Sequence, residues 1–274
     1  MPELPEVETV RRSLEMALPG RTVTAIQVRE LRLRFLVDED RLNALIANQR
    51  VEKLTRRAKY VIAHFTGGNC LVMHLGMTGQ LLILSPSHPL NKHDHVIFTL
   101  DNQMELRFRD PRRFGSIAAV EEAQLYEHDS LKHLGLEPLS EEFTPDYLFK
   151  RSRKSKKPVK NFIMDQQVIV GVGNIYASES LFLAGIHPLR AAGRISLTRW
   201  QKLHATIRQV LEEAITQGGT TLNDFRDSDG TSGYFQKLLR AYGRKGEACI
   251  NCQTPIRSQV VAGRSTFYCP KCQK

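Results

Sequence analysis

Four of the five cysteines stand in two pairs, Cys249-Ile250-Asn251-Cys252 and Cys269-Pro270-Lys271-Cys272, with sixteen residues (253–268) between them. Each C-x-x-C turn can aim two thiolates at one tetrahedral ion, and the intervening stretch is long enough for one hairpin to bring the pairs together. Four thiolates fill every coordination position, so the spacing predicts one structural Zn2+ and not a catalytic metal. The stretch reads as that hairpin: Ile256, Val260 and Val261 lead to an Ala262-Gly263 turn, and Thr266, Phe267 and Tyr268 return. Beside the turn stands Arg264, either a solvated hairpin charge or a guanidinium placed to reach a phosphate. The fifth cysteine, Cys70, lies in the run Cys70-Leu71-Val72-Met73 and reads as a reduced core thiol.

Two further stretches could bind anions. The densest basic run, residues 150–160, abuts an expected helix start, where side-chain charge and free backbone N–H groups would face the same ion, although such runs are commonly just solvated. Val168-Ile169-Val170-Gly171-Val172-Gly173-Asn174 looks like a strand entering a dinucleotide-binding turn, but Tyr176 stands where that fingerprint needs glycine and no repeated βαβ context surrounds it. The better reading is a glycine-rich turn with Asn174 as N-cap of the next helix.

These groups need a scaffold. Pro5 sits where a helix would begin, Glu6 and Glu8 complement its positive end, and Val7, Val10 and Leu14 form an apolar stripe, which predicts a helix from about Pro5 to Ala17. After Gly20 come short β-rich runs broken by turns: Thr22–Val28, Lys59–Phe65, Cys70–Leu75, Gln80–Leu84, His95–Leu100 and Glu105–Phe108. They predict an antiparallel sandwich or barrel. From about Pro145 the apolar spacing turns helical, over Tyr147–Arg151, Val159–Asp165, Ile175–Ala184 and Leu197–Gln217. The polar segment 224–230 is either a loop over a ligand or an ordinary surface loop.

With 39 Lys and Arg against 29 Asp and Glu, the net charge of +10 favours a polyanionic partner, nucleic acid first, though a basic surface can also meet anionic lipid or simply aid solubility. No run of about eighteen apolar residues could span a membrane. The N-terminal residues lack the basic and apolar regions of a signal peptide, so the chain is expected to stay in the compartment where it is made.

Seven motifs in order, Pro2-Glu3-Leu4-Pro5-Glu6-Val7-Glu8-Thr9, Arg56-Arg57-Ala58-Lys59-Tyr60, His74-Leu75-Gly76-Met77, Lys92-His93-Asp94-His95, Asp110-Pro111-Arg112-Arg113-Phe114-Gly115, Gly173-Asn174-Ile175-Tyr176 and the four-cysteine tail, closely resemble the bacterial formamidopyrimidine-DNA glycosylase family along the whole chain. The resemblance implies an α+β multidomain fold: an N-terminal antiparallel β-sandwich with a flanking helix (1–131), a helical helix-two-turn-helix domain (132–239) and a C-terminal β-hairpin zinc finger (240–274). It implies base-excision repair of 8-oxoguanine and formamidopyrimidines in damaged double-stranded DNA by a monomer in the bacterial cytoplasm, associated with the nucleoid, with no organic cofactor and no membrane partner.

The residues allow that chemistry. Removal of Met1 would leave Pro2 as a terminal secondary amine able to attack a sugar C1′, and α-amines titrate near 8, so a useful fraction is neutral at physiological pH. Glu3 matches the family's proton donor and acceptor, and Glu6 a supporting carboxylate; otherwise both are ordinary acids at a helix start. Lys59 and Arg264 match residues that assist loss of the two phosphates by β,δ-elimination, although Lys59 could equally be a strand-edge lysine. A base in a duplex must be flipped out before attack, and Met77, Arg112 and Phe114 match the residues that fill the void. His93, Arg112, Lys156, Lys160 and Asn174 match DNA-contacting positions. The related endonuclease VIII uses the same proline on oxidised pyrimidines but typically has glycine where Leu4 stands. A non-enzymatic zinc-ribbon DNA-binding protein would share the charge and cysteines but not Pro2-Glu3.

Overall fold

The computed structural model describes residues 2–220 and 238–274, so the segment 224–230 lies outside it. The chain divides into two compact units, one of residues 1–132 and 218–234, the other of 133–217 and 235–274.

The first unit is an antiparallel sandwich. One sheet has the order β1 (Val23–Val28), β6 (Asp94–Leu100), β7 (Glu105–Arg109), β5 (Gln80–Leu84); the other runs β2 (Val51–Arg57), β3 (Tyr60–Phe65), β4 (Asn69–His74), β8 (Ser116–Glu121). Side chains alternate across each strand. Val61, Ala63 and Phe65 of β3 therefore face the common core with Leu71, Met73, Val96, Phe98 and Phe108, while Tyr60, Ile62 and His64 face the other way. Against this core lies α1 (Leu4–Glu15), whose expected stripe of Val7, Val10 and Leu14 is no more than 1% exposed. Burying three such side chains contributes on the order of 5 kcal/mol before entropy is subtracted. Two strands, β2 and β8, and the helix α2 (Glu39–Ile46) lie outside the elements that the sequence pattern predicts. β2 carries Glu52, Lys53, Arg56 and Arg57, which break the apolar alternation that marks a strand.

In the second unit, α3 (Pro145–Ser152) starts at a Thr144 cap, and the short α4 (Val159–Ile163) follows the basic run. The helix α5 (Asn174–Ala184) is buried nearly all round, and the 20-residue α6 (Leu197–Thr216) packs along it through Trp200, Leu203, Ile207 and Val210. Strands β9 (Arg257–Val261) and β10 (Arg264–Tyr268) form the hairpin, with Ala262 and Gly263 at positive φ in the turn, as their sequence predicts. Its small core of Ile256, Cys249, Cys269 and Phe267 sits on Phe182 of α5.

Candidate active site

In the first unit the N-terminal helix carries an interlocked acidic pair. Glu3 is the N-cap of α1, and a capping box joins it to Glu6: each side chain accepts from the other's backbone N–H, with Glu3 N donating to Glu6 Oε2 at 2.7 Å. The other oxygen of Glu6 accepts from Thr220 N at 2.8 Å and Thr220 Oγ1 at 2.9 Å. Gly219, at φ +82, makes this approach possible, since a Cβ there would lie 2.9 Å from Glu6 Oε1. Pro2 is buried, and Glu3 and Glu6 are 3% and 2% exposed. The peptide joining Pro2 to Glu3 is thus fixed from both sides of one carboxylate.

Lys59 is not on a strand edge. With Ala58 it forms the two-residue turn of the β2–β3 hairpin, where Arg57 pairs Tyr60 and Ala58 adopts φ +53. A left-handed alanine costs roughly 1–2 kcal/mol, which neighbouring bonds must offset. Arg56 supplies them, donating Nη1 to Ala58 O at 3.0 Å and Nε to Glu8 Oε2 at 3.1 Å, and so ties the turn to α1. Burial pushes the Glu8 carboxyl up, but Arg11, Arg12 and Arg56 outweigh it and hold the group below its usual range. Beside the turn, Tyr60 stacks on His74 at 4.8 Å. Burial, reinforced by the cations Arg34 and Lys59, pushes His74 down to about 4, and its Nδ1 accepts from Gly76 N at 3.0 Å as a neutral ring must.

The three expected void-filling residues stand on two turns that one buried carboxylate clamps together. Asp110, fully buried, accepts from Thr78 Oγ1 at 2.6 Å, Gly115 N at 2.8 Å and Arg112 N at 3.3 Å. Its own N–H donates to His93 O, and its carbonyl oxygen is 2.8 Å from His95 Nε2. At Gly76, φ +63, a Cβ would overlap the backbone of Phe114 and Gly115, so glycine lets the Met77 turn close onto the Arg112–Phe114 turn. Phe114 is 46% exposed, Met77 is half-buried, and the Arg112 guanidinium lies 4.8 Å over the Phe114 ring. Partial burial, reinforced by the neighbouring Lys92, His95 and Arg113, lowers the pKa of His93. Asp110, Thr78 and His95 were missed as site residues. His95 and Asp110 lie inside quoted motifs and Thr78 directly follows one, but only pairing across the fold reveals their part.

The second unit groups Lys160, Asn174 and Arg264 differently from the expectation. Lys160 is 2% exposed and donates to Asn174 Oδ1 at 2.6 Å, Thr266 Oγ1 at 2.8 Å and Ser265 O at 3.0 Å, and Asn174 Nδ2 donates to Ser265 O at 3.0 Å. The two side chains therefore fasten β10 just behind the exposed Arg264. Asn174 is not the N-cap of α5; Gly173 is, because the amide of Asn174 is committed to Lys160 and Ser265. The expected free N–H groups after the basic run are also engaged: Val159 N donates to Arg190 O and Lys160 N to Pro188 O. Lys156 is exposed, while Lys157 pairs with Asp165 at 2.9 Å.

The cysteine sulfurs of 249, 252, 269 and 272 all lie within 4.8 Å of one another, with Cys249–Cys272 at 3.9 Å and Cys252–Cys269 at 3.5 Å. Tetrahedral zinc with Zn–S of about 2.3 Å places sulfurs about 3.8 Å apart, so the four residues fit one structural zinc. Hydrogen bonds from Thr254 hold the Cys252 thiol down to about 6, whereas the hydrogen bond with Cys252 and then burial push Cys272 up to about 12.

The chain matches the formamidopyrimidine-DNA glycosylase N-terminal domain over residues 1–117, the H2TH domain of the same enzymes over 134–226 and a zinc finger found in FPG and IleRS over 246–274. It is 51% identical over 274 residues to the formamidopyrimidine-DNA glycosylase of Thioalkalivibrio sulfidiphilus, covering both chains in full. The crystal structure of the MutM (Fpg) protein from Thermus thermophilus is similar at 38% identity with a TM-score of 0.89, covering 99% of this chain and 98% of that one. A Lactococcus lactis Fpg mutant in complex with DNA containing Fapy-dG gives 0.92 at 33% identity over the full length of both. Through the interlocked Glu3–Glu6 pair, the clamped turns, the cysteine cluster and these full-length matches, the chain belongs to the formamidopyrimidine-DNA glycosylase family.

Proposed function

We propose that this protein excises 8-oxoguanine and formamidopyrimidines from duplex DNA and then opens the emptied strand, with Pro2 as the nucleophile after Met1 is removed. The observation that carries this reading is the buried Glu3–Glu6 box, which fixes the Pro2–Glu3 peptide at the start of α1. Its relatives' shared name and the Fapy-dG complex of a structural neighbour support the substrate class.

The neutral Pro2 amine attacks C1′ of the flipped nucleotide while Glu3 protonates the ring oxygen, so the C1′–O4′ bond breaks and the sugar opens. The base then departs with its bonding electrons and a proton, leaving an iminium between Pro2 and C1′. The iminium acidifies the 2′ proton; its removal expels the 3′ phosphate, and a second elimination expels the 5′ phosphate. Water finally releases the sugar fragment and regenerates the amine. Glu6 positions Glu3 and Pro2, and Lys59 and Arg264 neutralise departing phosphates or return protons. Met77, Arg112 and Phe114 occupy the gap left by the flipped base, an apolar wedge with a cation suited to an unstacked step. His93, Arg112 and Lys156 contact the DNA backbone. Lys160 and Asn174 act on the DNA by holding the Arg264 strand in place.

The zinc ion, when bound by Cys249, Cys252, Cys269 and Cys272, supplies rigidity to the hairpin. The three parts 1–131, 132–239 and 240–274 serve as nucleophile domain, DNA-binding helices and finger of a monomer in the bacterial cytoplasm, associated with the nucleoid through its DNA. Excision from duplexes carrying 8-oxoguanine opposite cytosine should outpace excision of thymine glycol. Preferential cleavage at thymine glycol would transfer the chain's activity to the endonuclease VIII class.

A further inference from the structure

One cluster of metal-ligating side chains has no part in the chemistry above. On the face of the β2-β3-β4-β8 sheet turned away from the core, His64 and Cys70 are directly opposite each other on β3 and β4, with Nδ1 and Sγ 3.4 Å apart. The carboxylate of Glu122 joins them, Oε1 lying 2.9 Å from the same Nδ1, and its backbone N–H is anchored on Gly68 O. On the far side of the ring, Thr55 Oγ1 is 2.8 Å from Nε2. We propose that His64, Cys70 and Glu122 form a second binding site for a zinc-class divalent ion, separate from the cysteine cluster, with water in the fourth position.

The donor set is the mixed N, S and O set that a borderline ion such as zinc accepts. All three ligand atoms lie within 4.8 Å of one another. A tetrahedral ion with bonds of about 2.1 Å to nitrogen and 2.3 Å to sulfur needs the two roughly 3.5 Å apart, which the pair already meets. The carboxylate must open by about half an ångström from its hydrogen bond. It has the freedom to do so, because the Glu122 side chain is 48% exposed while His64 is 8%. Thr55 acts as the orienting partner of a ligating imidazole: when Nε2–H donates to its hydroxyl oxygen, Nδ1 presents a lone pair to the ion. Binding replaces the thiol proton of Cys70, which leaves to solvent, by a sulfur–metal bond. A nucleophilic role for Cys70 fails on geometry, since the residue is fully buried. His64 lies four residues along β3 from Tyr60, roughly 13 Å, with the Lys59 turn beyond that strand end, so an ion there would leave the reacting groups untouched.

The full-length, zinc-loaded protein titrated with Co2+ tests this. Uptake of one cobalt with one zinc retained, and a near-ultraviolet thiolate-to-cobalt absorption, is expected. Cys70→Ser should abolish both the uptake and the absorption, Thr55→Val should weaken binding about 10–100-fold, and Glu122→Gln, at an exposed position that leaves folding intact, should weaken it at least about tenfold. Cobalt uptake only at the expense of zinc, or uptake that survives both Cys70→Ser and Glu122→Gln, would overturn the assignment.

Discussion

Replacing Glu6 by glutamine leaves the number of heavy atoms in the side chain unchanged but removes one acceptor. The native carboxylate accepts from Glu3 N through one oxygen and from Thr220 N and Oγ1 through the other, at 2% exposure. A glutamine amide has one oxygen and one NH2. Turning its oxygen to Thr220 keeps two bonds and sets NH2 against the Glu3 N–H; the opposite rotamer sets NH2 against the Thr220 N–H and reverses the bond to the Thr220 hydroxyl. The smaller loss is one hydrogen bond to a charged acceptor, about 2 kcal/mol, with the Glu3 N–H left buried beside another donor. That N–H belongs to the peptide that holds Pro2. If the loosening is felt in full as Pro2 attacks, covalent trapping slows roughly 30-fold. Single-turnover borohydride trapping on saturating abasic-site duplex measures this, and DNA affinity should stay within about twofold because Glu6 is buried away from solvent. A Glu6→Gln protein that traps within about twofold of the native rate would refute the positioning role.

Lys160→Met should destabilise the second unit by about 3 kcal/mol, since Asn174 Oδ1, Thr266 Oγ1 and Ser265 O each lose a buried donor; urea unfolding checks it, and loss below about 1 kcal/mol would show the ammonium is not needed there. His74 has its folded-state pKa lowered from 6.5 to about 4, so its contribution is fully present above pH 6.5 and is lost as pH falls towards 4. That amounts to about 3 kcal/mol, and denaturant unfolding of His74→Gln against native protein between pH 7 and 4.5 should show a shallower decline in the variant. Arg112→Ala should weaken DNA binding and reduce the slope of log K against log salt by about one; an unchanged slope would remove Arg112 from the phosphate contacts.

What the sequence discloses is what depends on short-range spacing. The α1 stripe, the cysteine pairs and the Ala262-Gly263 turn each follow from a period or a turn rule confined to a few neighbouring residues. The bonds that decide what the site residues do reach much further. Thr78 meets Asp110 across 32 positions, Lys160 meets Thr266 across 106 and Glu6 meets Thr220 across 214, and no local pattern encodes such pairings. Lys160 is the sharpest case. In a run of lysines and arginines it reads as one solvated cation among several, yet its aliphatic stem is buried and its ammonium is spent on the hairpin. Lys59 misled for the opposite reason: β-branched and aromatic residues after it extend the strand pattern backward over a turn that only the positive φ of Ala58 reveals.

The central claim, that the terminal amine of Pro2 bonds to the sugar, is tested most directly by borohydride reduction of the protein on 8-oxoguanine duplex followed by peptide mass mapping. The predicted result is a sugar adduct on residue 2 of a chain that has lost Met1, and none after the terminus is acetylated. An adduct mapped to Lys59 or any other side chain, or full activity in a chain that retains Met1, would contradict it.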